Sequence, residues 1–548
     1  MFKWIKSGAP WIWLTGGAVS LSLISVLGLL LLIGWKGLTY FWPTPLYQWQ
    51  TSDGKKLVGQ LYSQEQVPLT HLREVNIDWP QEALVSGEVN RLSIKVANRE
   101  LTHADFVSIL DVKLSDKQKP SGWAVIERVR DGQFYGKPIA YLQANGQESL
   151  DAQAQLEQGM RDASLLREKI DNVITEEIRV IGNAAEKLRL EKRRKELNGQ
   201  LDETYLAQYR QRKEDLDSQL VLSEQKLDAL RAQLNQQSLI VEDMTGSRVY
   251  IPLSQILDIW YPNDMDLGQK VTQWGKQVWV FLSQSPRESN SEGGVFPAIF
   301  GTVFLVLIMS IIVMPLGVVA AIYLHEYAKD NAFTRVIRVA VINLAGVPSI
   351  VYGVFGLGFF VYTIGSSIDA LFYAERLPAP TFGTPGLLWS ALTLAVLTLP
   401  VVIVTTEEGL TRIPSSVRHG SLALGATQFE TIWRIVLPMA SPAIITGLIL
   451  AIARAAGEVA PLMLVGVVKL ASSLPVDGEF PFVHLERKFM HLGFHIYDVG
   501  FQTTNIETAR PLVYATSFLL VTVIVALNLT AISIRNNLRE KYRTLGQD

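Results

Sequence analysis

Thr405-Thr406-Glu407-Glu408-Gly409-Leu410-Thr411-Arg412-Ile413-Pro414 closes one apolar run and opens a polar connector. The connector continues as Arg418-His419-Gly420-Ser421-Leu422-Ala423-Leu424-Gly425-Ala426-Thr427. It ends in Ile432-Trp433-Arg434-Ile435-Val436-Leu437-Pro438, where the next apolar run begins. Ser415 and Ser416 follow Pro414 and are candidate N-caps. Gly425 is placed to break a short helix. A second amphipathic stretch then leads to Pro438. Helix, glycine, helix between two apolar runs suits a docking element, although a solvated connector has the same periodicity.

The runs on either side set the fold class. Trp11–Trp35, Phe296–Leu324, Val339–Ile368, Pro385–Thr406, Pro442–Leu464 and Pro511–Ile534 are each long enough to cross a bilayer, which takes about 20 helical residues. Five of the six carry no Asp, Glu, Lys or Arg. The spacing therefore predicts six transmembrane helices. The first begins after Met1-Phe2-Lys3-Trp4-Ile5-Lys6, which looks like the charged start of a signal peptide. Its apolar run is too long for one, and no small-x-small cleavage site follows, so it reads as a retained span. The 548 residues carry a net charge of −2 and no cysteine. That argues against nucleic-acid binding by bulk basicity and excludes disulfides and thiolate-ligated metals. The mean hydropathy of +0.20 is an average over two unlike populations of residues.

Basic residues in short loops orient the spans. With the N-terminus inside, Lys3, Lys6, Lys329, Arg335, Arg338, Arg412, Arg418, Arg434, Arg535, Arg539, Lys541 and Arg543 fall on the inner side. Only Arg376, Lys469, Arg487, Lys488 and Arg510 fall in short outer loops. Both termini, 1-10 and 535-548, are thus expected in the cytoplasm. The long segment 36-295 is then expected outside it, and 296-534 forms the core with spans two to six.

That segment holds two patterns. Residues 50-150 and 239-285 alternate apolar and polar in short runs and read as strands, with Ser283–Gly294 as a polar linker back to the membrane. Residues 151-238 contain no proline, three glycines and 32 charged residues in 88 positions. Leu216, Leu220, Leu227, Leu230 and Leu234 keep a heptad rhythm with Ser223 in the gap, as do Ile170, Ile174, Ile181 and Leu188. The pattern predicts an antiparallel coiled-coil hairpin that turns at Asn198-Gly199, with arms of about 60 Å. Gly182-Asn183 is a candidate kink. A hairpin returns its ends to one place, so insertion into a single small β domain, between Ile139–Leu142 and Leu239–Val241, is expected.

The connector 406-440 resembles the EAA loop of ABC importer permeases. Its pattern is Glu-Ala-Ala, three residues, Gly, nine residues, then Ile-x-Leu-Pro. Gly425, Ile435, Leu437 and Pro438 stand at those separations. The triplet itself is His419-Gly420-Ser421, which bears on the usual Glu contact and not on the docking role. Gly317-Val318-Val319-Ala320-Ala321-Ile322-Tyr323-Leu324-His325-Glu326-Tyr327-Ala328 is similar to the phosphate branch of these permeases, the PstA family. So are Gly294–Ile299, Asn343-Leu344-Ala345-Gly346-Val347-Pro348-Ser349-Ile350-Val351-Tyr352-Gly353 and Ala453-Arg454-Ala455-Ala456-Gly457-Glu458-Val459-Ala460-Pro461-Leu462. The resemblance covers nearly all of 293–540, with span one matching by topology, and is silent on 50–285. It implies a type I importer permease fold and ATPase coupling through Glu408, Gly425, Ile435, Leu437 and Pro438. It also implies a homologous second permease, an ATPase dimer and a periplasmic phosphate-binding protein as partners, in a bacterial inner membrane. Many relatives carry an Arg just before Thr405-Thr406-Glu407, where this chain has Val404.

Among the six runs only the fifth carries charge, at Arg454 and Glu458. Ionisable groups in hydrocarbon are functional candidates. Their i, i+4 spacing places both on one helix face, and Arg suits an oxyanion because its guanidinium stays charged and bonds phosphate oxygens in pairs. A structural ion pair is the other reading of the two residues; the resemblance favours the substrate path. His484, His491 and His495 are read as exposed loop residues in preference to metal ligands. No Gly-x4-Gly-Lys-Ser/Thr occurs, so no P-loop is expected, and neither is any cofactor. The expectation is the permease subunit of a phosphate importer. The alternatives are a permease for another oxyanion and a periplasmic scaffold whose main work lies in 151–238.

Overall fold

The alternating segments between Leu46 and Trp260 form eleven strands among the described residues. The computed structural model describes residues 9–72, 81–99, 104–149, 152–287, 292–502 and 506–543. Lys3 and Lys6, part of the linker before span two and the last residues of the C-terminal tail lie outside them. The chain divides into two units, Phe41–Trp279 and Met1–Tyr40 with Val280–Asp548.

In the Phe41–Trp279 unit, β1 (Leu46–Thr51), β2 (Lys56–Pro68), β3 (Glu88–Lys95), β4 (Phe106–Leu110) and β5 (Leu114–Gln118) make one antiparallel sheet in the order β4-β3-β2-β1-β5. A second sheet runs β10-β9-β7-β6-β11, from β6 (Ala124–Arg128), β7 (Gln133–Leu142), β9 (Ser238–Glu242), β10 (Arg248–Pro252) and β11 (Ile256–Trp260), with short β8 (Glu148–Ser149) beside β7. The expected small β domain is therefore two sheets. Leu46, Val125, Tyr135 and Trp260 share one buried cluster that draws on both. Two asparagines complete the join where the ladders end. Asn98, buried at a φ of 54°, exchanges two hydrogen bonds with the Tyr135 backbone, at 2.7 and 3.0 Å. Asn263 does the same for Leu46, at 3.0 and 2.9 Å. Each amide replaces a missing strand neighbour, so buried backbone groups stay satisfied.

Between β7 and β9 the chain leaves as helices Ala152–Asn172 and Arg179–Leu197 and returns as Glu203–Asn235. Asp202 caps the return helix by accepting from Tyr205 N at 2.7 Å. Gly199 takes the positive φ that the turn requires, 66°. Lys195 Nζ lies 3.8 Å from the Tyr205 ring centre and Lys192 Nζ 4.9 Å from that of Tyr209. Further along, Glu177 meets Ser223 and Lys226. The pairings advance along one arm as they retreat along the other. The return helix has 33 residues, so it is about 50 Å long. Helical bonding runs through Gly182-Asn183 without a break; the departure lies earlier, in a π-helical stretch at Val173–Ile178. That extra residue rotates the stripe, so Val173 is buried while Ile174 is 38% exposed.

In the other unit, six helical stretches are long and apolar enough to cross a membrane: Trp11–Thr39, Phe296–Tyr327, Ser349–Phe372, Leu387–Thr411, Gln428–Gly457 and Ala509–Asn537. Two differ materially from the sequence expectation. Span three does not start at Val339. Residues Ala332–Leu344 form a separate amphipathic helix capped by Asn331, and span three starts at Ser349 behind Pro348, since proline disfavours helix in the residue before it. Span five does not reach Leu464. It begins at Gln428 behind a capping box of Thr427 and Glu430, and it ends at Gly457, three residues before Ala460-Pro461. The buried core of this unit joins spans two, four and five, through residues such as Val306, Val313, Leu394, Val402 and Ala451.

Candidate functional site

The connector between spans four and five folds into a helix Ser415–Ala423, a turn, and the start of span five. Pro414 occupies the N-cap position, so Ser415 and Ser416 are the first helical residues and neither acts as the cap. Gly425 has a φ of +87°, a conformation that costs an L-residue roughly 1–2 kcal/mol. Across that turn the Ser421 and Thr431 hydroxyls are hydrogen-bonded at 2.8 Å, both residues being buried. Arg418 points back under the helix. It donates to Glu326 at 2.9 Å and to the carbonyls of Leu410 and Ile413 at 2.8 and 2.9 Å. A different set faces outward: Leu424 is 91% exposed, Phe429 66% and Trp433 62%. The Phe429 and Trp433 rings are stacked, with centres 6.2 Å apart. Ile435 and Leu437 are half-buried, and Leu437 packs with Val436 and Leu410 beneath the connector.

Beside the connector lies a cavity of about 470 Å³, lined in part by His325, Arg338, Val404, Glu407, Glu408 and Thr411. Arg338 crosses it to Glu407 at 3.0 Å and to the Leu324 carbonyl at 2.8 Å. Glu408 thus opens on this cavity, and so does Val404.

Arg454 stands in the last turn of span five and Glu458 just past its end, at φ −77° and ψ 129°. They are not two positions of one continuous helix face. Nε of Arg454 and Oε1 of Glu458 are 3.6 Å apart, an ion pair too long for a hydrogen bond. Both side chains are partly open, 30% and 21% exposed. The position is favourable for a cation, because the carbonyl end of a helix is its negative pole. The segment that follows packs against span three: a side-chain carbon at Gly353 would come within 2.7 Å of the Pro461 backbone. Asn343–Gly353 and Ala453–Leu462, far apart in sequence, therefore meet, and Tyr352 is tied there to the Leu344 carbonyl at 2.6 Å.

The family described as "Binding-protein-dependent transport system inner membrane component" matches residues 313–544. "Phosphate transport system permease protein PstA 1" of Mycobacterium tuberculosis is 34% identical over 259 residues, which are 47% of this chain and 75% of that protein. The chain belongs to the PstA-like family of ABC permeases. The permease is also 34% identical over 247 residues to "Phosphate transport system permease protein PstA" of Yersinia pestis, covering 45% of this chain and 75% of the relative. A solved inward-facing MetNI methionine ABC transporter overlaps 48% of this chain and 98% of its own, at 17% identity and a TM-score of 0.33.

Several polar residues of the permease escaped the sequence reading. Asp369 falls just beyond the apolar run as first bounded. It is buried and accepts from Phe382 N at 2.9 Å and Gly383 N at 2.6 Å. Glu326 stands in the family-like segment and Arg338 among the inner-loop basic residues, with no partner assigned to either by sequence. Their partners lie 92 and 69 positions away, as Arg418 and Glu407, and no local pattern marks such pairs.

The three loop histidines are not exposed. His484, His491 and His495 have 7%, 1% and 2% of their surface open. His484 is clamped between Asp477 at 3.0 Å and Glu486 at 3.2 Å. His491 accepts from Gly493 N at 3.1 Å and caps the helix Leu492–Tyr497. Burial pushes the imidazoles of His491 and His495 down to about 4. At His495 the Asp498 charge opposes that shift and Lys469 adds to it. Among the described residues no group of three or more His, Asp or Glu is arranged to hold a metal ion.

Proposed function

We propose that this permease carries inorganic phosphate, with Arg454 on the anion path. The observation that carries the reading is the 34% identity to phosphate permeases across three quarters of their length. Arg454 suits an oxyanion route because it is a permanent cation in the last turn of a span, partly shielded and held by a loose ion pair. Glu458 neutralises it between cargoes. Arg338, facing Glu407 across the cavity beside the connector, is a second cation with the same chemistry.

In this reading both termini and the connector face the cytoplasm, and 36-295 lies in the periplasm of a bacterial inner membrane. The permease pairs with a homologous second permease. ATPase subunits dock on the exposed Leu424, Phe429 and Trp433, presented by Gly425 and supported by Ile435, Leu437 and Pro438. The Arg418–Glu326 pair passes connector movement to the end of span two. ATP hydrolysis belongs to the docked subunits, and a periplasmic phosphate-binding protein delivers the cargo. The helices of 151–238 form a coiled-coil arm whose stripe is Leu227, Leu234, Leu188 and Val173.

Radiolabelled phosphate uptake by cells whose other phosphate importers are deleted tests this. Uptake that depends on the permease, and that excess sulfate or molybdate does not compete away, is the expected result. Competition by one of those anions would make it a permease for another oxyanion. A second reading follows from the family match, which begins at residue 313 and leaves Phe41–Trp279 outside it. That unit is a scaffold or tether, and uptake that persists after excision of 151–238 supports it.

A further inference from the structure

Helix Leu267–Ser283 is amphipathic in the reverse of the usual sense. Gln269 N donates to Asp266 Oδ1 at 2.7 Å and Asp266 N donates to Gln269 Oε1 at 3.1 Å, a reciprocal cap that starts the helix. Polar residues on one side bond to the protein beneath, although Lys276 keeps half of its side chain open. Gln273 is buried and donates to Asp258 at 2.8 Å; Lys276 donates to the other oxygen of Asp258 at 2.7 Å. One turn on, Gln277 donates to Glu127 at 3.3 Å. One apolar row faces outward, while Phe281 turns inward and is buried. Leu267 is 75% exposed, Val271 55% and Trp279 69%. They recur every four residues with Gly275 between, and a row at that spacing follows one face of a helix. No Asp, Glu, Lys or Arg lies in that row.

A helix at the surface of a soluble domain buries its apolar stripe and wets its polar one. An open row of Leu267, Val271 and Trp279 calls for an apolar medium on that side. The far end of the helix says which medium. Val295 N donates to Phe281 O at 2.8 Å, and Phe296 N donates to Gln284 O at 3.1 Å. Phe296 is the first residue of span two. The last turn is thus hydrogen-bonded to the point where the chain enters the bilayer. Trp279 stands one turn before that point, and tryptophan concentrates at the boundary between headgroups and acyl chains.

We propose that Leu267–Ser283 is an interfacial helix, lying along the bilayer surface with Leu267, Val271, Gly275 and Trp279 in the headgroup–acyl boundary. The occupant of the stripe is lipid. This rests on the membrane topology of the family and not on phosphate as the cargo.

The absence of cysteine makes the test direct. Nitroxide labels are placed on the full chain, reconstituted in liposomes, at Leu267→Cys, Val271→Cys, Gly275→Cys and Trp279→Cys. Glu214→Cys on the helical arm serves as a water-facing control and Val525→Cys in span six as a lipid-facing one. A side-chain carbon at Gly275 meets nothing within 4 Å, so that variant introduces no clash there and keeps the test readable even if the tryptophan variant misfolds. Collision rates with oxygen and with nickel-EDDA are then read by electron paramagnetic resonance. Oxygen dominating at all four stripe positions, as at Val525, is the expected outcome. Nickel-EDDA dominating, as at Glu214, would show a stripe open to water and overturn the proposal. Low collision rates with both reagents would show the stripe covered by a protein partner, and would overturn it equally.

Discussion

Arg418 of the connector helix and Glu326 at the end of span two form an ion pair at 2.9 Å, with side chains only 19% and 11% exposed. The same guanidinium also holds the carbonyls of Leu410 and Ile413. One side chain therefore binds the connector to span two and to the end of span four. Charge-assisted hydrogen bonds of this kind contribute roughly 1.5–3 kcal/mol each. Arg418→Gln is expected to lower the melting temperature of the purified permease. It is also expected to uncouple transport more than it weakens assembly. Measuring ATP hydrolysis and uptake on the same reconstituted complex checks this; a proportional loss of both would assign Arg418 to stability alone.

Arg454→Gln is expected to abolish phosphate uptake while the subunits still co-purify. The partner Glu458 sits outside the helix and is partly exposed, so losing the pair leaves no deeply buried orphan charge. Wild-type uptake by the variant would sink the role of Arg454.

The connector turn offers a cleaner perturbation. Nothing lies within 4 Å of a side-chain carbon built on Gly425, so Gly425→Ala strains the backbone without a clash. The expected destabilisation of the turn is about 1–2 kcal/mol, with reduced ATPase co-purification. Trp433→Asp should reduce it further by placing a charge in the exposed aromatic patch. Undiminished co-purification in both variants would remove this surface as the docking site.

Acid should weaken the loop between spans five and six before it weakens the rest. His491 and His495 are held at about 4 in the fold, below the roughly 6.5 of an unfolded histidine. Between those values the unfolded chain binds more protons than the folded one, so stability falls as pH drops through that window. Above about 6.5 the effect vanishes. Limited proteolysis of 466–500 across pH 7 to 4.5 reads it, and His491→Asn with His495→Gln should flatten the dependence.

The membrane fold was legible because nothing else makes charge-free runs of this length. The run boundaries were less so. Val339 and Leu464 looked continuous with spans three and five by hydropathy, but Pro348 and Pro461 cut the helices for steric reasons that hydropathy does not record. The strands at 46–149 were readable from alternation. Their division between two sheets was not, since the contacts at the join, Asn98 to Tyr135 and Asn263 to Leu46, span 37 and 217 residues. Of the heptad positions, Leu188, Leu227 and Leu234 are buried and Ile174 is 38% exposed, because the π-helical stretch Val173–Ile178 is invisible to a fixed period. Local spacing singled out Arg454, Glu458 and the connector, but the helix face it assumed for Arg454 and Glu458 ends at Gly457. Arg418–Glu326 and Arg338–Glu407 are long-range pairs that no local spacing reveals. The buried histidines look like any loop histidines until the loop is folded around them.

Strands β7 and β9 pair directly, Leu142 against Ser238, although the whole helical excursion separates them in sequence. The chain leaves and re-enters the sheet through a doorway one strand spacing wide, about 4.8 Å. Whatever happens to the reach of the arm, that doorway stays the same size. Descendants of this gene can lengthen, shorten or exchange the arm by whole helical repeats without rewriting either sheet, so its length is free to follow whatever it has evolved to touch.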